Sequence, residues 1–140
     1  MRAQTKTKES ASLVKANLVK DYQRNTTGTE NHYLHWDRRF KYTDGVKYVA
    51  DTCAAHWLID AIASHQPQIN RNFADYKHFQ CWQIAFNPLK DNYLLICWGD
   101  APNASSVLAR QIIEYTDFPA ELMPFKLWVE SGVLLLPEEH

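Results

Sequence analysis

His32, His35 and Asp37 fall within six residues of one another, with Glu30 just upstream. Histidine is the side chain that works near neutral pH as acid, base or metal ligand, so by residue type this cluster is the best enzyme candidate in the chain. The chemistry it would support is that of a small hydrolase or nuclease, with or without a metal. No recognised motif accompanies it: the sequence holds no HExxH, no nucleophile elbow and no Gly-rich phosphate loop. On a strand, His32 and Asp37 would also point to opposite faces. A structural or surface role is the plainer reading, and no catalytic residue is assigned.

Cys53, His56 and Asp60 form a second constellation, at helical offsets of three and four, where side chains can converge on a metal and Asp60 can orient the imidazole. Against this, Cys53 belongs to an apolar stripe and His56 with Asp60 can be a simple pair at a helix edge. A third pattern interleaves cations with rings: Trp36, Arg38, Arg39, Phe40, Lys41, Tyr42, Lys47 and Tyr48. Proteins neutralise phosphates and stack unpaired bases with such residues. Here Trp36, Arg38, Arg39, Lys41, Tyr42 and Lys47 are the candidates for contact with a partner or with nucleic acid. The alternative is that the rings are core and the cations a solvated rim, and a near-neutral chain favours it. No cofactor is indicated.

These residues need elements to position them. Ala11, Val14, Leu18 and Tyr22 recur at helical spacing between Ser10 and Tyr22, predicting a small N-terminal helix with a narrow apolar stripe. Thr27 and Glu30 have capping-box spacing, yet Tyr33 to Trp36 reads equally well as a short strand, and both readings stay open. The clearest element spans Asp44 to about His65. Thr43 or Asp44 supplies its N-cap, and Val46, Ala50, Cys53, Trp57 and Ala61 make one apolar face. Tyr48, Ala55, Ile59, Ile62 and Ala63 make the opposite side apolar as well, which predicts a central helix covered on both sides.

After a polar connector from His65 to His78, Phe79 to Phe86 and Tyr93 to Trp98 alternate as two strands of a hairpin. One register aligns apolar faces by setting Trp82 opposite Trp98, Ile84 opposite Ile96 and Phe86 opposite Leu94. Val107 to Tyr115 suits a third strand better than a helix. Phe125 to Leu136, broken at Ser131-Gly132, gives one or two more.

At 140 residues the chain has the length of one domain, and 46% apolar with 22% charged residues is ordinary for a globular fold. Residues 1–8 are expected to be disordered and 9–140 to form a single α+β domain. No stretch reaches the roughly 20 apolar residues of a membrane span, and MRAQTKTKES lacks the apolar region of a secretory signal, so a cytoplasmic location is expected. Three cysteines without Cys-x-x-Cys spacing signal neither a disulfide framework nor a zinc ribbon. The net charge of −1 divides into +5 over residues 1–48 and −6 over 49–140, a split able to steer a partner.

Gly28-Thr29-Glu30, Tyr33, His35-Trp36, Tyr42-Thr43-Asp44-Gly45-Val46-Lys47-Tyr48, Trp57-Leu58, Asp60, Tyr115-Thr116-Asp117-Phe118-Pro119 and Gly132-Val133-Leu134-Leu135-Leu136-Pro137 together resemble a bacterial domain family of unknown function. That family is met in cyanobacteria and other bacteria and among plasmid, transposon and phage genes. The resemblance covers about residues 26 to 138, and the block from Tyr42 to Tyr48 is its most specific part. It implies no activity, cofactor or catalytic residue, and His56 stands where the family pattern has Tyr. It implies a context in which small mobile-element proteins bind a host or rival component, for example as inhibitors of nucleic-acid-targeting defence.

The expected fold is therefore α+β, an antiparallel sheet of about four strands packed on a long central helix, plus a smaller N-terminal helix. The expected function is a non-enzymatic binding module for a protein or nucleoprotein partner, in the manner of an anti-CRISPR inhibitor. A His/Asp-dependent hydrolase or nuclease and a direct single-strand binder are the alternatives. Nucleic acid and a second copy of the chain are further candidate partners, and a membrane is not.

Overall fold

The computed structural model describes residues 2–76, 78–99 and 106–140, with residues 2–10 and 76 described through their backbone alone. Along the chain come α1 (Arg2–Asn25), β1 (His32–Leu34), β2 (Lys41–Thr43), α2 (Asp44–Cys53), α3 (His56–Ser64), α4 (Gln66–Asn72), β3 (Phe79–Asn87), β4 (Asn92–Trp98), β5 (Val107–Ile113), β6 (Phe125–Glu130) and β7 (Val133–Leu135). A single 3-10 turn, Pro137–Glu139, follows. The strands form one sheet in the order β1-β2-β7-β6-β3-β4-β5. All neighbours are antiparallel except β2 and β7, which run parallel. The expected four-stranded antiparallel sheet is thus corrected to a seven-stranded mixed one. β1 lies in the segment that reads equally well as a strand, and β6 and β7 are two strands either side of Ser131-Gly132; β2, three residues long, shows no period in sequence, and its pairing with β7 joins the β1–β2 hairpin to the rest of the sheet.

The single long helix over residues 44–65 is corrected too. Thr43 caps α2, its Oγ1 accepting the Val46 N–H at 3.3 Å. The helix ends at Ala54, which adopts the left-handed φ 51°, ψ 45°, and α3 begins two residues later. This break resolves the apolar circumference. On one continuous axis Val46, Val49 and Cys53 would look away from Leu58, Ile59 and Ile62. The turn at Ala54 re-aims the second set, and all six are buried in one core, so no cover on the far side is required. Left-handed backbone costs alanine about 1 kcal/mol and glycine almost nothing. Ala54→Gly is therefore expected to raise the unfolding free energy by about 0.5–1 kcal/mol, seen as a higher urea midpoint at unchanged slope. A lowered midpoint would contradict it.

The N-terminal helix α1 is the longest of the molecule rather than a minor one. It packs on α2 through Ala16 and Val19, both fully buried, and through Tyr22, which stacks on Tyr48 at 4.7 Å. Val14 and Leu18 of the expected stripe are exposed. Ala16, Val19 and Tyr22 keep helical spacing on a face rotated from the expected stripe, which takes in the larger apolar residues Val14 and Leu18 instead.

The β3–β4 hairpin forms, one residue out of the expected register: Trp82 opposes Cys97, Ile84 opposes Leu95 and Phe86 opposes Tyr93. A four-residue turn, Pro88 to Asp91, sets it, with Asn87 Oδ1 accepting the Leu89 N–H at 3.1 Å and Asp91 at φ 51°. Since a one-residue slip exchanges the faces of a strand, Trp82 and Trp98 lie on opposite sides of the sheet. Trp82, Ile84, Leu95, Cys97, Leu127 and Val129 belong to the inner face, which joins the helices in the core. Cys81, Ile96, Trp98 and Trp128 belong to the outer face. Residues 107–113 are a strand, as favoured.

Candidate functional site

The turn between β1 and β2 carries the candidate site. His35 N–H bonds to Phe40 O at 2.7 Å and Arg38 N–H to His35 O at 2.8 Å, closing the loop, with Arg38 in the left-handed region at φ 65°. This geometry turns consecutive side chains in opposite directions. His35 points inward and is 4% exposed, whereas Trp36 is 77% exposed.

His35 Nε2 lies 2.7 Å from Asp60 Oδ1 on α3. A carboxylate oxygen only accepts, so Nε2 carries a hydrogen and donates it. On the other side of the ring, Nδ1 is 3.2 Å from Asp37 Oδ1 and 3.4 Å from the Asp37 amide. Trp36 Nε1–H donates to the same Asp60 oxygen at 3.1 Å. Asp37 takes the Arg39 N–H at 2.9 Å; that bond, opposed by partial burial and aided by His35, holds its carboxyl below the usual range. Both ring nitrogens of His35 are thus engaged, which leaves no open lone pair for proton transfer or metal ligation.

Arg38 and Arg39 in the turn and Lys41 at the start of β2 are exposed, and among the described residues none forms an ion pair. Beside the turn lies a cleft of about 410 Å³ lined by Trp36, Asp37, Arg39, Gln66, Pro67 and Asn70. It continues through Arg39, Phe40, Gln66 and Asn70 into a second hollow of about 380 Å³ that reaches His78 and Gly132.

The candidates read from sequence are thus redistributed. His35 and Asp37 come together, with Asp60 as the partner that sequence had assigned to His56. His32 stays exposed on β1. His56 pairs with Asp51 at 2.8 Å instead of Asp60, and Cys53 is 1% exposed, its thiol pushed up to about 11 by burial. Cys53, His56 and Asp60 therefore do not converge, and among the described residues no group of three His, Cys, Asp or Glu could hold a metal. Of the interleaved set, Trp36, Arg38 and Arg39 share the turn, and Lys41 begins β2 just after it. Tyr42 stacks on Tyr33 at 5.7 Å, and Lys47 bonds to Asp51 at 2.6 Å above the Tyr33 ring. Gln66 and Asn70, missed in the sequence, reach the cleft because residues 66–72 are helical within what reads as a polar connector.

The block from Tyr42 to Tyr48 serves architecture. Asp44 Oδ2 accepts the amides of Glu30 (3.1 Å) and Asn31 (2.9 Å), while Oδ1 accepts the Tyr33 hydroxyl at 2.9 Å. Thr43 Oγ1–H donates to Glu139 Oε1 at 2.6 Å, and Gly45 N–H to Glu139 Oε2 at 3.0 Å. One block therefore holds both the Gly28-Thr29-Glu30 loop and the C-terminal turn.

The whole chain can now be set beside known proteins. A model of a family of unknown function, DUF6876, matches residues 17–140. The chain belongs to the DUF6876 family. No curated protein and no solved structure matches it. The DUF6876 match begins within α1 and takes in the Asp44 hub, the Trp36 turn and the Glu139 carboxylate alike. No helix among the described residues of this DUF6876 chain is long and apolar enough to cross a membrane.

Asp44 makes the DUF6876 chain acid-sensitive in a defined direction. Burial pushes its carboxyl up, but the Tyr33 hydroxyl and the amides of Asn31 and Glu30 outweigh this and hold it below its usual range. A carboxyl depressed in the folded state stabilises fully above its unfolded pKa of about 4, and that stabilisation is lost as pH falls through the folded value. Urea midpoints are therefore expected to decline as pH drops from about 5 to 3, and Asp44→Asn to start lower and decline less. Parallel curves for the two proteins would assign the acid sensitivity to other carboxylates.

Proposed function

We propose that this chain is a non-enzymatic binding module that engages a protein or nucleoprotein partner through the Trp36 turn, in a bacterial mobile-element or anti-defence setting of the anti-CRISPR kind. The observation that carries the reading is Trp36 itself: a large ring 77% exposed yet fixed by its Nε1–H to an Asp60 carboxylate that the buried His35 holds in place. An exposed ring already held in one orientation loses little freedom on binding. Trp and Arg are also the residues that dominate interface hot spots. Arg38, Arg39 and Lys41, exposed and outside any ion pair among the described residues, favour an acidic partner surface. The neighbouring cleft gives that partner a recess for a side chain.

The test is affinity capture from bacterial lysate with the wild-type chain and with Trp36→Ala and Arg38→Glu/Arg39→Glu variants of unchanged circular dichroism. A component retained by wild type and lost with both variants is the expected result. Turnover in a hydrolase or nuclease screen that disappears on His35→Ala would overturn it in favour of the enzyme alternative, which the doubly engaged imidazole opposes.

Direct single-strand binding is the second reading, favoured by the same ring among three cations. Asp37 and Asp60 beside the ring oppose it by repelling phosphate. It predicts oligonucleotide affinity that falls steeply with salt and drops on Arg38→Glu/Arg39→Glu; a flat salt dependence counts against it.

A further inference from the structure

The outer face of the sheet is apolar in its middle. Pairing registers place Trp98, Cys81, Trp128 and Leu135 side by side in one row across β4, β3, β6 and β7. Trp98 and Trp128 are half-buried, and Ile96 and Leu135, 7% exposed each, are covered within the chain although neither belongs to the core cluster that the inner face forms with the helices. Phe79 meets Trp128 edge-on at 5.5 Å and the His140 ring meets it edge-on at 5.4 Å, while a hollow of about 360 Å³ opens between Cys81, Trp98, Lys126, Trp128 and Pro137.

Charge flanks this row asymmetrically on β6. Lys126 stands two residues to one side of Trp128 and Glu130 two residues to the other, about 7 Å along the strand each way. Within one chain they lie about 13 Å apart and cannot meet. Lys126 is exposed and outside any ion pair among the described residues. Among the described residues Glu130 has one ion-pair partner, the exposed His140 ring at 3.3 Å, and its side chain is 44% exposed.

We propose that this face binds a second copy of the chain about a two-fold axis lying in the interface along the Trp98–Trp128 row. Rotation about that axis sets Trp128 against the same residue of the partner subunit. It also exchanges the two flanks, so that Lys126 of each subunit faces Glu130 of the other and the charge pairs form twice. Two aligned sheets pack about 10 Å apart, a gap that a lysine and a glutamate reaching from opposite sides can bridge. The symmetry is isologous, the commonest for soluble oligomers, and it buries the aromatic row of both subunits. Trp36 bonds to Asp60 of α3 and lines a cleft with Gln66 and Pro67 of α4, on the helix side of the sheet, so the turn stays outside the pairing and this inference stands apart from the reading of that turn.

The test is sedimentation of the full chain between about 1 and 100 µM, a span that covers ordinary homodimer affinities. Wild type is expected to dimerise. Lys126→Glu and Glu130→Lys alone are each expected to weaken the dimer about tenfold, because each places like charges together twice. The double variant Lys126→Glu/Glu130→Lys is expected to return to within about threefold of wild type. Both positions are at the surface, so circular dichroism should be unchanged. A chain that stays monomeric throughout overturns the proposal and leaves the face to a different protein. A dimer whose two single defects add in the double variant overturns the two-fold geometry.

Discussion

Gly45→Ala is expected to cost about 2–4 kcal/mol of folding free energy, one of the two largest losses of any single substitution considered for this chain. A methyl at position 45 would land on the Glu139 carboxylate. That carboxylate is 7% exposed and accepts three donors: the Thr43 hydroxyl, the Gly45 amide and, at 2.9 Å, the Leu136 amide. Displacing it combines overpacking with a buried charge stripped of its hydrogen bonds, and each effect alone is worth about 1–3 kcal/mol. The C-terminal turn would also lose its tie to the N-terminus of α2, beside the fully buried Leu136. Helix propensity argues the other way, since alanine exceeds glycine by about 1 kcal/mol in a helix. The steric origin can therefore be isolated. Glu139→Ala alone should cost about 2–3 kcal/mol, and Gly45→Ala added to it should cost nothing further, since the obstacle is gone. Additive losses in urea denaturation would show that something other than the carboxylate sets the requirement for glycine.

His35→Ala is expected to cost about 2–4 kcal/mol and to abolish partner capture through the turn. The ring is 4% exposed, meets Phe40 edge-on at 6.4 Å and donates to Asp60. Its loss opens a cavity and leaves the carboxylates of Asp37 and Asp60 facing each other across it. Asp60 then holds Trp36 without its own inner partner, and the exposed ring loses its fixed orientation. Asp60→Asn separates the two consequences: an amide oxygen still accepts from His35 and Trp36, so stability should fall by less than about 1 kcal/mol and capture should persist. If Asp60→Asn abolishes capture while leaving stability intact, the partner reads the charge of Asp60 and not the orientation of Trp36.

The two substitutions act at separate places, and their separation bears on function. The Glu139 tie holds the fold, whereas the His35 tie holds an exposed ring that the fold does not need. Loss of capture without loss of stability in Trp36→Ala, set beside loss of both in His35→Ala, would distinguish a contact residue from the residue that positions it.

The sequence by itself determined what depends on near neighbours. The β3–β4 hairpin follows from two alternating runs around Asn87 to Asn92, the start of α2 from a cap at Thr43 or Asp44, and the β-branched content of residues 107–113 favours a strand over a helix. The Trp36 to Lys41 stretch stands out by residue type, but whether its rings are core or surface stays open there, and the structure divides them, burying Phe40 and exposing Trp36. Tertiary structure decided whatever joins distant segments. β2 pairs locally with β1 but joins the main sheet only through β7, where Lys41 meets Val133. Asp60 finds His35 across 25 positions, and Glu139 finds Gly45 across 94. The register of β3 against β4 was undecidable from pattern, since Leu94 to Trp98 is apolar on both faces and either alignment buries a hydrophobic row. The break at Ala54 left no trace in composition either, because alanine is the strongest helix former and enters the left-handed region there only under the demand of the core. Periodicity reports which side of an element is greasy; it cannot report which distant carboxylate, strand or ring will meet that side, because that energy exists only once the chain has closed on itself.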